Sequence, residues 1–204
     1  MNRAATAESL LSLRFTFKCH FDACDLTLDP NTAHTRLVLS DGNRKVTNVE
    51  ERQLYPDHPE RYDEHPQVLC RERLTGRCYW EAEWSGYAGI SVTYEGISRK
   101  GGSDDCVFGF NDKSWRLFCS DEGFTVSHNN NYTDTPAVCS SSKRAGVYVD
   151  VPAGPLSFYS VSHTHTLTHI RTFTHLHTFT HTFTEPLCAG FGVYSSVSLC
   201  DIKG

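Results

Sequence analysis

The chain has 204 residues, 39% of them hydrophobic, 12% aromatic and 21% charged, a size that suits one globular domain burying about 70% of its unfolded surface. Nineteen Lys and Arg against 24 Asp and Glu leave a net charge of −5, so the basic surplus of a nucleic-acid or anionic-membrane binder is missing and neither partner is expected. No run approaches the roughly 18 apolar residues of a spanning helix. The apolar start is interrupted by Glu8, Ser9, Ser12 and Arg14 with no small-residue cleavage site after it, so a secretory leader is not expected.

Nine cysteines are scattered at positions 19, 24, 70, 78, 106, 119, 139, 188 and 200, with no C-x-x-C pair. An odd, unpatterned set without a leader reads as reduced, buried thiols in a cytoplasmic chain, neither a disulfide framework nor a zinc site.

Helical periodicity is confined to a short turn around Ala4–Leu13. Strand signals recur instead about every ten residues, the pattern of a sandwich or barrel. Leu26 and Leu28 alternate with polar neighbours and stop at Asp29-Pro30-Asn31. Leu37-Val38-Leu39 leads into Asp41-Gly42 and on to Val46 and Val49, a hairpin signature. Pro56, Pro59 and Pro66 among charged residues make 55–67 an irregular surface loop. Val68-Leu69-Cys70 resumes the apolar chain, and Gly76 turns it into Tyr79–Trp84. There Trp80, Ala82 and Trp84 share one face. Glu81 and Glu83 lie on the other face, read as solvated rather than as an acid/base pair.

Further strands are expected at Gly89–Tyr94, Val107–Phe110, Trp115–Cys119 and Gly123–His128, with loops at 101–105 and 128–135. Pro152-Ala153-Gly154-Pro155 supplies the turn between Gly146–Asp150 and Leu156–Ser160. Gly190–Tyr194 and Val197–Cys200 close the series.

Several of these segments form a recognisable set: Leu28-Asp29-Pro30, Pro66–Cys70, Gly76–Trp84, Gly146–Asp150, Leu156–Tyr159 and Thr184-Glu185-Pro186-Leu187. In this order and spacing they resemble a PRY-SPRY domain over about 180 residues. The PRY part is near 24–75, the SPRY part near 76–204, and 1–23 is unassigned. The likeness is to the fish-type domains of tripartite-motif ubiquitin ligases and NACHT/leucine-rich-repeat receptors, with related copies in stonustoxin-like proteins. Ala82 and Ala145 stand where the pattern usually has Val.

The resemblance implies an all-β fold, a bent antiparallel two-sheet β-sandwich of jelly-roll type, that binds proteins or peptides through variable loops. Any ligase activity in such families belongs to a RING, whose cysteine spacing does not occur here. The binding segments of relatives map onto Tyr87–Gly89, Gly109–Lys113 and Tyr194–Ser196. They make Tyr87, Gly89, Gly109, Asn111, Asp112 and Tyr194 the candidate ligand-binding residues, with Tyr87 and Tyr194 as anchors. Antibody-binding members carry aromatic residues where this chain has Gly109 and Asn111, so antibody recognition is not implied. The expected role is recognition in innate immune sensing or ubiquitin targeting. The alternative is a fragment of a stonustoxin-like or other structural protein. No G-x-S-x-G elbow, P-loop or dinucleotide fingerprint is present, and no catalytic residue or cofactor is expected.

Six of the 11 His fall between His163 and His181. From 163 to 184 odd positions carry His, Phe, Leu or Arg, and even positions carry nine Thr interrupted by Ile170 and Leu176. Thr favours extended chain, but one 22-residue strand would run about 70 Å, so the segment must fold back or loop out. Thr168–Phe173 is followed by the near-copy Thr174–Phe179 and a partial third copy. An even insertion of six keeps every side chain on its original face. His175 and His177 would then point the same way and could share a metal ion or form a pH-responsive surface. No Cys or carboxylate is interleaved, and the repeat itself generates the histidines. A duplicated, partly exposed hairpin or bulge is therefore the preferred reading, without metal.

Overall fold

The structure, a computed structural model, describes residues 23–135, 142–163 and 171–202. The expected helical turn at Ala4–Leu13 lies outside them. The strands in chain order are β1 (Leu37–Ser40), β2 (Lys45–Asn48), β3 (Gln67–Leu74), β4 (Arg77–Ser85) and β5 (Ala88–Tyr94). A 3-10 turn (Asp104–Cys106) precedes β6 (Ser114–Ser120), β7 (Gly123–His128), β8 (Asn131–Asp134) and β9 (Arg144–Asp150). The last four are β10 (Pro155–His163), β11 (Arg171–Thr180), β12 (Leu187–Val193) and β13 (Ser196–Leu199).

They form two antiparallel sheets, β1-β2-β13-β4-β9-β10-β11 and β3-β12-β5-β6-β7-β8. Trp80 and Trp84 of β4 meet Ile90 and Val92 of β5, Trp115 and Leu117 of β6, and Phe191 of β12 in one core. Each such side chain contributes about 1.5–3 kcal/mol by leaving water. A second, smaller cluster of Tyr62, Leu69, Ile97 and Phe108 lies outside the main core. It pins the proline-rich loop and the 95–112 connection onto the outer face of the six-stranded sheet. Gly190 makes this possible, because a Cβ there would lie 2.8 Å from the Phe108 ring.

The Asp-Gly hairpin forms as expected, pairing Leu37 with Asn48 across Asp41, Gly42 and Asn43, all at positive φ. The proline-rich loop and the 152–155 turn also form where expected. Other expectations are corrected. Leu26 and Leu28 make no strand. A lone bridge joins Leu28 to Cys70, because Pro30 ends the segment before a ladder can grow. Val107–Phe110 is a turn and bend, and its Val107 carbonyl accepts from the Asn111 side chain. The Asn-rich loop contains β8: Asn129 and Asn130 adopt φ of 49° and 58°, a two-residue turn that returns an exposed edge strand along β7.

The thiols are not all reduced. Cys24 and Cys78 form a disulfide, fastened where the Cys24 amide bonds the Tyr79 carbonyl at 3.0 Å. Cys70, Cys106, Cys119 and Cys188 are buried free thiols, as expected of small apolar residues.

The Thr/His repeat does fold back. β11 pairs with β10, from His163 opposite Arg171 to Pro155 opposite Thr180. The strict alternation does not survive, however. Phe158 faces His177 while the next residue, Tyr159, faces His175. Leu176 is therefore an extra residue in a β-bulge and is buried in the core. Leu176 is the one apolar residue at the even, otherwise Thr-bearing positions of β11, and it gains from entering the core. The bulge that admits it reverses the facing of everything after it. His175 lies with the outward Tyr159, whereas His177 joins Phe158 and Phe179 on the core side. Beyond β11, His181 and Phe183 pack on Trp115 at 5.1 and 5.3 Å.

Candidate binding face

The outer face of the six-stranded sheet carries the candidate site, and strand alternation builds it. Trp115, Leu117 and Cys119 of β6 point into the core, so Arg116 and Phe118 point out. Phe118 sits opposite Gly89 of β5, and Gly89 is followed across the sheet by Gly192 of β12. A Cβ at Gly89 would lie 3.0 Å from Arg116 Cδ, so the glycine lets the arginine lie flat on the sheet.

Tyr87 and Tyr194 reach this surface from two neighbouring turns, joined by a bond from the Tyr194 amide to the Tyr87 carbonyl at 3.3 Å. Their rings flank Phe118: Tyr87 stacks on it at 6.1 Å and 11°, and Tyr194 meets it edge-on at 6.3 Å. Both tyrosines remain exposed, at 54% and 52%. The Arg116 guanidinium lies 4.8 Å from the Phe110 ring and 5.4 Å from the Phe118 ring. Phe110 in turn meets Tyr132 of β8 at 5.7 Å. The result is a continuous aromatic surface from Tyr87 through Phe118, Arg116 and Phe110 to Tyr132.

Of the six residues anticipated from sequence, Tyr87, Gly89 and Tyr194 converge here. Gly109 lies directly behind: at φ +84°, its absent Cβ would stand 2.9 Å from Arg116 Cβ and overlap Ser127 Oγ. Asn111 is only 8% exposed, and its side chain organises the loop. Its Nδ2 donates to the carbonyls of Asp104, Asp105 and Val107 at 2.9, 3.2 and 2.8 Å. Its Oδ1 accepts from the Lys113 amide at 3.1 Å and from Ser114 Oγ at 2.9 Å. Asp112 is exposed at the turn before β6, with no hydrogen bond or ion pair to the aromatic surface. Arg116, Phe118, Phe110 and Tyr132 were missed. The alternation in Ser114–Ser120 assigns the first two to the outer face, but only the fold brings Phe110 and Tyr132 beside them.

The opposite outer face, on the seven-stranded sheet, corrects the expectation of a solvated pair at Glu81 and Glu83. Glu83 is exposed, but Glu81 is completely buried. Tyr79 Oη donates to Glu81 Oε1 at 2.8 Å, and Arg144 Nε stands 2.5 Å from Glu81 Oε2. Gly146 opposite Glu81 leaves the space, since a Cβ there would be 2.6 Å from Tyr79 Oη. Alternation assigned the face correctly and said nothing of what lies over it.

A surface cleft of about 550 Å³ lies elsewhere, between the turns at Gly76 and at Pro152–Gly154 and the segment His181–Leu187. It contains none of the anticipated residues, and its Arg73 already pairs with Glu95 at 2.8 Å. With His175 and His177 on opposite sides of β11, the geometry expected of a shared metal ion is gone. Among the described residues no three His, Cys, Asp or Glu side chains converge as a metal site.

Comparison with known proteins fits this architecture. Residues 26–74 match the PRY model, described as an SPRY-associated domain. The chain is 44% identical over 149 residues to stonustoxin subunit beta of Synanceia horrida, covering 70% of this chain and 21% of the toxin subunit. It is 42% identical over 146 residues to tripartite motif-containing protein 16 of Mus musculus, covering 69% of this chain and 26% of that protein. It spans about a quarter or less of each of these curated relatives. The stonustoxin structure superposes with a TM-score of 0.77 at 40% identity, over 87% of this chain and 27% of that one. The crystal structure of the TRIM65 PSpry domain superposes at 0.76 and 26% identity, over 89% of this chain and 92% of that one. With its PRY match, its two-sheet sandwich and these relatives, the chain belongs to the PRY-SPRY family.

Proposed function

We propose that this chain acts as a non-catalytic recognition module gripping a protein or peptide ligand on the outer face of its six-stranded sheet. The observation that carries this reading is the exposed ring array of Tyr87, Phe118 and Tyr194, preorganised by stacking and by the Tyr194–Tyr87 backbone bond. Rigid aromatic side chains with polar tips bury much area at little entropic cost and dominate binding energetics. The likeness to tripartite-motif ligases supports a role in ubiquitin targeting or innate immune sensing, with the activity supplied by other domains of a larger protein.

The test is selection from random peptide libraries. Binders selected on the wild-type domain should weaken at least tenfold on Tyr87→Ala and on Tyr194→Ala, read by calorimetry. Binders indifferent to both substitutions would move the site off this face. A second reading, membership of a larger stonustoxin-like protein, is favoured by the 40% identity to the stonustoxin structure. Sequencing the full transcript separates the two by the domains it encodes beside this one.

A further inference from the structure

The aromatic face holds a charge that nothing among the described residues answers. Arg116 is 9% exposed, yet among the described residues its side chain makes no ion pair and no hydrogen bond, and its buried Nε has no partner. Its neighbours in the same cross-strand row are Ser91 of β5 and Ser127 of β7. Both are fully buried, and their hydroxyls also lack partners. An orphaned buried donor costs about 1–3 kcal/mol, and more when charged. Three in one row are a concentrated expense for a face that has no other reason to hold polar atoms.

The surroundings state which ligand chemistry would answer it. The guanidinium is walled by the Phe110 and Phe118 rings, which exclude water but offer no hydrogen-bond acceptor. Among the described residues no Asp or Glu pairs with it, and its polar neighbours are the Ser91 and Ser127 hydroxyls of the same row. A guanidinium presents a planar fork of donors that matches a carboxylate bidentately. Burial already holds Arg116 below its ordinary guanidinium pKa, the mark of a cation without an anion. A single guanidinium also balances a single negative charge, which fits a carboxylate better than a doubly charged phosphate.

We propose that Arg116 is the specificity residue of the recognition face, accepting one carboxylate of a peptide whose flanking apolar residues pack on Tyr87, Phe118 and Tyr194. The assignment rests on the recognition reading above and names the chemistry of its ligand. The carboxylate has two sources, an Asp or Glu side chain or a free chain end.

Two random twelve-residue peptide libraries distinguish them, one with free carboxyl ends and one with those ends fused to the carrier. Side-chain recognition enriches a single Asp or Glu in both libraries. Chain-end recognition yields binders only from the first, and amidation abolishes them. In either case, neutralising the carboxylate (Glu→Gln, Asp→Asn or amidation) should weaken binding to wild type at least tenfold. On Arg116→Gln the same change should have no further effect. Because Arg116 is buried, wild-type protein supplies a second measurement: its Nε–H nuclear magnetic resonance should shift on adding the selected acidic peptide and not its neutral form. Neutral peptides that bind as tightly, still dependent on Tyr87 and Tyr194, would overturn the carboxylate and leave the face standing. Libraries that yield no peptide dependent on Tyr87 and Tyr194 would overturn both.

Discussion

Two arginines, one on the outer face of each sheet, show how the same side chain serves opposite ends. Arg144 of β9 and Arg116 of β6 are both largely removed from water. Arg144 reaches Glu81 at 2.5 Å and Glu83 at 3.4 Å, with Tyr79 completing Glu81. The fold has set two carboxylates against this charge, so the seven-stranded sheet is closed there as structure. Arg116 receives two aromatic walls and, among the described residues, no anion. The six-stranded sheet is thereby left incomplete at the place where Tyr87, Phe118 and Tyr194 gather. A buried charge with its partner in the same chain holds the chain together; one without it points to something that arrives later.

Removing one member of each pair tests that contrast. Arg144→Met strands the fully buried Glu81 carboxylate and should cost about 3–5 kcal/mol in urea unfolding. A loss below about 1 kcal/mol would mean that Glu81 finds water on that face and that the two arginines do not differ in kind. The Cys24–Cys78 bond, between residues 54 apart in sequence, ties the start of the PRY part to the start of β4. Reducing it, or Cys78→Ser, should destabilise by about 3 kcal/mol, read as a lowered Tm under dithiothreitol. An unchanged Tm would show that the seven-stranded sheet holds this segment without the covalent tie.

A smaller effect is expected at His34, which is buried with both ring nitrogens engaged. Its Nδ1 accepts the Arg36 amide at 3.1 Å, leaving Nε2 to donate to the Asp63 carbonyl at 3.1 Å. Burial, with Arg36 adding to it, lowers its pKa from the ordinary 6.5. The unfolded chain therefore takes the proton more readily. Stability is full above pH 6.5 and falls as pH drops from there toward the lowered value. His34→Gln should flatten that slope between pH 7 and 5 in a thermal melt. An unchanged slope would place the acid sensitivity elsewhere.

The smallest loss of stability belongs to Arg116→Met. It removes a buried donor left unanswered among the described residues and forfeits its contacts with two aromatic rings, so stability should hold or rise, by up to about 1–3 kcal/mol. A loss as large as that of Arg144→Met would make Arg116 structural.

Local rules made some of this molecule legible in advance. Asp41-Gly42 specified its hairpin because few residues accept positive φ, and Pro56, Pro59 and Pro66 excluded a central strand because they cannot donate to a ladder. Tyr87 and Tyr194 could be picked out by likeness to a family, and Phe110 lay within a segment so marked, whereas Tyr132 could not, since its place beside Phe110 depends on how β8 returns along β7. The Thr/His repeat misled in an instructive way. Its period was genuine, yet one Leu at position 176 was enough to introduce a bulge and send His175 and His177 to opposite sides.

The sequence by itself determined the all-β class, most strand positions and, outside β11, which residues of a strand share a face, because these follow from the two-residue period and from turn chemistry. Only the tertiary structure decided what lies over each face. It buried Glu81 against Arg144, joined Cys24 to Cys78 across 54 residues, and left Arg116 between two rings with no anion among the described residues. Pairing of that kind depends on distances between residues remote along the chain, which no local pattern encodes.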